Sequence, residues 1–124
     1  MATTGNDETG EGSSGNPYKS LKHALKHVTS GDTIMIKPGT YTGSDNRDID
    51  INVRNATESA KYKNLVITSE KGPSETIFDA GFINRHFWIE VRETGSIDST
   101  LQIIGITFRG GRTSEVGGLS LIHI

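Results

Sequence analysis

Residues 31–43 read GDTIMIKPGTYTG. Ile34 and Ile36 alternate with Met35 and Lys37, the period of a strand with one buried face, and Pro38-Gly39 ends the run. Residues 48–54, DIDINVR, keep the alternation more strictly: Ile49, Ile51 and Val53 point inward, Asp48, Asp50, Asn52 and Arg54 outward. NLVITS, ETIFDAG, HFWIEVR and STLQIIGITFRGG follow, each short and bounded by Gly, Pro, Ser or Asp. The chain carries 14 Ile against 6 Leu, and such a β-branched excess favours strands over helices.

Apolar triplets begin at Leu65 (LVI), Phe87 (FWI) and Ile106 (ITF), in steps of 22 and 19 residues, with further strands expected around Ile77 and between Leu101 and Ile103. Repeats from roughly 20 residues upward mark solenoids, in which each unit buries its apolar face against the next. The fold class expected is all-β, a stack of short-strand coils over residues 31–118. An open antiparallel sandwich is the alternative.

One segment breaks the strand pattern. In NPYKSLKHALKHVTSG, residues 16–31, Leu21, Ala24, Leu25 and Val28 share one helical face, while Lys19, Lys22, His23, Lys26 and His27 lie on the other. A capping helix over 16–30 is expected, with Asn16 as its N-cap, Pro17 in its first turn and Gly31 as its stop. So short a helix is marginal alone and reads as a lid on the apolar end of the first coil. His23 and His27 have the spacing of a helical metal pair, but they sit among lysines and read as a solvated face.

Composition narrows the function classes. A net charge of −2, from 13 basic and 15 acidic residues, excludes a polybasic nucleic-acid binder. The absence of cysteine excludes disulfide scaffolds, Cys-based zinc sites and a thiol nucleophile. No apolar run has the length of a membrane span. Residues 1–15, MATTGNDETGEGSSG, read as a loop.

The stretch from Thr4 to Gly118 resembles the right-handed parallel β-helix proteins of the pectin-lyase-like superfamily. NPYKSLKHALKHV after an Asn-Asp, Gly-rich loop is similar to their N-terminal cap, and GDTIMIKPGTYTG to their first coil. NLVITSEKGPSETIFDAG and LQIIGITFRGGRTSEVGG resemble the next coils. The resemblance implies a right-handed β-helix, a secreted or cell-surface location and an association with polysaccharide. It leaves three functions open: a scaffold or adhesin, a polysaccharide lyase or glycoside hydrolase, and a phage tail spike. Lyases of the superfamily bind calcium through acidic residues, so calcium is left open for the full-length protein; no cofactor is read from the residues themselves.

On HFWIEVR, alternation puts Phe87, Ile89 and Val91 inside and His86, Trp88, Glu90 and Arg92 on one outer face. An outward Trp can stack on a sugar ring while the flanking groups bind its hydroxyls or carboxylate, so these four are the candidate carbohydrate-binding residues. FWIE resembles the WIDH segment of pectate lyases, with Glu for Asp and no His after it. No catalytic set is assigned: Arg85, Arg92, Arg109 and Arg112 are candidate bases and Asp79, Glu90 and Asp98 candidate acids, but no spacing singles out a pair. Asp45 to Asp50 lacks any calcium-loop spacing and reads as a solvated turn and edge. Asn55-Ala56-Thr57 is a glycosylation sequon, meaningful only in a eukaryotic secretory path.

Residues 119–124, LSLIHI, are what CTGTCTCTTATACACATC encodes, the transposon end of common sequencing-library adaptors. They are expected to be read-through, with native coils continuing beyond Gly118; a genuine apolar strand is the alternative reading.

Overall fold

A computed structural model describes residues 1–53, 61–91, 101–112 and 120–123. Its elements run α1 (Leu21–Leu25), β1 (Thr33–Ile36), β2 (Gly39–Tyr41), a 3-10 turn (Ser44–Asn46), β3 (Ile49–Val53), β4 (Val66–Ser69), β5 (Thr76–Asp79), β6 (Phe87–Val91), β7 (Gln102–Ile104), β8 (Thr107–Arg109) and β9 (Ser120–His123). All strand pairs are parallel, and they form three sheets: β1-β4-β7, β2-β5-β8 and β3-β6-β9. Each turn of the chain lays one strand in each sheet, as in the coils of a parallel β-helix. The antiparallel alternative is excluded.

The true repeat is longer than the triplets suggest. Ile34 stacks on Ile67, 33 residues on, and Ile67 on Ile103 after 36. Tyr41 stacks on Phe78 after 37 residues and Phe78 on Phe108 after 30. The triplets at Leu65, Phe87 and Ile106 belong to three different sheets, so their spacing measures the path around a coil and not the rise from one coil to the next.

Alternation within each strand builds the core. Ile34, Ile36, Tyr41, Ile49, Ile51, Ile67, Phe78, Phe87 and Ile89 are buried in one cluster. The rings of Tyr41 and Phe78 stack at 4.9 Å between centroids, and Phe108 continues the column at 5.8 Å. Burial pushes the Tyr41 phenol up to about 12; its hydroxyl donates to the Lys37 carbonyl at 2.6 Å, so the polar tip is satisfied.

The helix is shorter than expected. Asn6 N–H donates to the Pro17 carbonyl at 3.0 Å and Ala2 N–H to the Tyr18 carbonyl at 2.9 Å, which commits residues 17 and 18 to the N-terminal loop. Gly5 allows that approach, because a Cβ there would collide with the Tyr18 carbonyl. Ser20, extended at φ −123°, is the N-cap in place of Asn16, its hydroxyl accepting the His23 N–H at 3.3 Å. After Leu25 the bonds tighten to the i−3 pattern, Lys26 N–H to His23 O and His27 N–H to Ala24 O. The apolar face stands as expected: Leu21, Ala24, Leu25 and Val28 are buried in the cluster of the first coil, and burying each of the two leucines contributes about 1.5–3 kcal/mol.

Candidate functional site

Asp48 enters β3 with φ +49°, a left-handed conformation that Asp tolerates, and its N–H donates to the Arg85 carbonyl at 2.7 Å. That bond aligns the start of β3 with the segment entering β6. The register then sets Ile49 on Phe87, Asp50 on Trp88 and Ile51 on Ile89. Since the isoleucines and Phe87 are buried, Asp50 and Trp88 share the outer face. Arg85 lies over Trp88, its guanidinium carbon 4.4 Å from the ring centroid. Its Nε is 2.9 Å from Asp48 Oδ1, a contact of opposite charges without hydrogen-bond alignment. The outer face of this sheet thus carries an aromatic platform, a cation stacked on it and two carboxylates beside it.

The candidate residues divide. Trp88 lies on the outer face and is half-buried. His86 does not: it is 1% exposed, a correction to the expected outward alternation. The strand begins only at Phe87, and His86, one residue before it, turns under the chain. Its Nε2 lies 3.2 Å from the Phe78 carbonyl and 3.0 Å from that of Arg109, and its ring meets Phe108 edge-on at 5.1 Å. His86 therefore clamps adjacent coils. Glu90 holds the register position opposite Asn52 on β3. Arg92 lies outside the described residues, as do Asp98 and the Asn55-Ala56-Thr57 sequon. In place of His86, the structure brings Arg85, Asp48 and Asp50 to this face. A period near 37 carries Asp48 to Arg85 and Asp50 to Trp88, a signal hidden by the shorter spacing of the triplets.

Of the other candidates, Asp79 and Arg109 have structural employment. Asp79 accepts the Gly81 N–H at 2.9 Å and pairs with Arg109 Nε at 3.0 Å; these contacts hold its carboxyl below the ordinary carboxylate value. Arg112 is exposed, and its N–H donates to the Asn84 carbonyl. Asn46, in the segment expected to be a solvated turn, is buried; its Oδ1 accepts the Leu21 N–H. His23 and His27 stand 4.9 Å apart and both pack on Tyr18. Among the described residues no three His, Cys, Asp or Glu side chains converge to hold a metal, and no helix is long and apolar enough to cross a membrane.

Fold and face together define a parallel β-solenoid with a polar, aromatic outer sheet surface. Residues 3–58, which comprise most of the N-terminal loop, α1 and the first-coil strands, match a family model described as "Protein of unknown function (DUF1565)". No curated protein and no solved structure matches the chain.

Proposed function

We propose that this chain is the N-terminal part of a secreted or cell-surface right-handed parallel β-helix protein of the pectin-lyase-like kind, which binds polysaccharide on the outer face of its β3-β6 sheet as a scaffold or adhesin. The observation that supports it most is Trp88 on that face with Arg85 laid over its ring and Asp48 and Asp50 alongside. Sugars are bound by an aromatic ring face together with charged groups that reach hydroxyls.

The chain has a single tryptophan, so Trp88 is both ligand contact and reporter. Titration with a panel of soluble polysaccharides should change its fluorescence, and Trp88→Ala and Arg85→Ala should each weaken retention on the immobilised polymer at least tenfold. A panel that leaves the fluorescence unchanged and retains no protein overturns the reading. Chain cleavage in the same assay replaces it with the lyase or hydrolase alternative.

A further inference from the structure

The charges around Trp88 are unequal. Arg85 is engaged twice: its guanidinium carbon lies 4.4 Å from the Trp88 ring centroid, and its Nε lies 2.9 Å from Asp48 Oδ1. That Nε is buried, which closes it to a ligand arriving from outside. The positive charge at the ring is therefore already balanced by Asp48. Asp50 is left over. It is exposed, and among the described residues it stands in no ion pair. Arg47, the other cation of this segment, is paired with neither carboxylate among the described residues. Asp50 and Trp88 are register partners on adjacent parallel strands, and such strands run about 4.8 Å apart. A ligand resting on the Trp88 ring is thus within reach of a carboxylate that has no counter-charge.

The chemistry of that carboxylate selects among sugars. An ionised Asp accepts hydrogen bonds and donates none. Sugar hydroxyls donate to it, and a hydrogen bond to a charged acceptor is roughly twice as strong as one between neutral groups. A uronic acid brings a carboxylate of its own. With Arg85 already paired, that group meets Asp50 with no free cation between them, and like charges set against each other are how an interface excludes wrong partners.

On the polysaccharide reading of this face, we propose that the polymer bound here is built of uncharged sugars, whose hydroxyls donate to Asp50, and that Asp50 turns uronic acids away. Asp48 is a positioning residue: it holds Arg85 over the ring and cancels its charge. Asp50 sets the specificity.

Retention of the full chain is measured on immobilised galactomannan, xyloglucan and polygalacturonate, with a chelator present so that no divalent ion bridges two carboxylates. At least one uncharged polymer should be retained ten times or more as tightly as polygalacturonate. The gap should narrow as salt rises, since salt screens the repulsion at an exposed site. Asp50→Asn should narrow the gap and Asp50→Lys should reverse it; position 50 is exposed, and melting curves check that both variants are folded. Polygalacturonate held as tightly as the uncharged polymers by the unsubstituted protein overturns the uncharged class and leaves polysaccharide binding standing. So does a preference that Asp50→Lys leaves unchanged. No retention on any of the three polymers overturns both.

Discussion

The side-chain oxygen of Asn46 accepts the backbone N–H of Leu21 at 2.9 Å, while its amide donates to the Thr42 carbonyl at 3.0 Å. One buried residue between β2 and β3 thereby ties the start of α1 to the first coil. Replacing it with Ala leaves an N–H in the interior without an acceptor, at a cost of about 1–3 kcal/mol. Asn46→Ala should lower the melting temperature by several degrees, and Asn46→Asp, which keeps the acceptor oxygen, by less. Thermal melts followed by circular dichroism check both.

Asp7 fastens the same helix from the N-terminal loop. Its carboxylate accepts the Ser20 hydroxyl at 2.7 Å and the N–H groups of Lys19 and Ser20 at 2.8 and 3.1 Å. Burial acts to raise its pKa, but these bonds, with His23 nearby, hold it below the ordinary value of 3.8. A carboxyl with a depressed folded-state pKa stabilises the fold above its unfolded value, and that contribution disappears as pH falls through the folded one. Melting temperature should therefore drop as pH is lowered below about 4, and the drop should be shallower in Asp7→Asn. Parallel slopes for the two proteins between pH 5 and pH 2 would contradict this.

Phe82 has φ +59° in the turn between β5 and β6, and it is 72% exposed. A bulky side chain in the left-handed region carries strain of about 1–3 kcal/mol, here held by the bond from Phe82 N–H to the Gly110 carbonyl at 2.7 Å. Phe82→Gly relieves the strain and forfeits little burial. It should raise the melting temperature or leave it unchanged, whereas Phe82→Val should lower it.

His86 and Trp88 stand two residues apart with opposite employment. His86→Leu removes the donor shared by the Phe78 and Arg109 carbonyls and should destabilise the fold by about 1–3 kcal/mol. Trp88→Ala should cost less stability and, if the proposed polysaccharide binding holds, weaken retention at least tenfold. Retention lost per folded molecule in His86→Leu, as measured on the native fraction alone, would place His86 back at the ligand.

Much of the fold was legible because strand alternation is a local signal. Ile34, Ile36, Ile49 and Ile51 declared their inward face, and all are buried. The lid face of Leu21, Ala24, Leu25 and Val28 was equally legible from helical spacing. What was not legible depends on partners distant in sequence. Residues 17 and 18 look helical until their carbonyls are taken by Asn6 and Ala2, and His86 looks outward until the strand proves to start one residue later. The site was half legible for the same reason. Trp88 follows from alternation, but Arg85 over it and Asp48 beside it depend on the stacking of one coil on the next.

The column Tyr41, Phe78, Phe108 makes each of these residues answerable to the ones above and below it. A change of volume at Phe78 meets Tyr41, 37 residues earlier, and Phe108, 30 residues later. Compensating substitutions in this protein should therefore lie along vertical lines. The lengths of the arcs between strands can drift freely, since they alter the outline of a coil and leave those lines where they are.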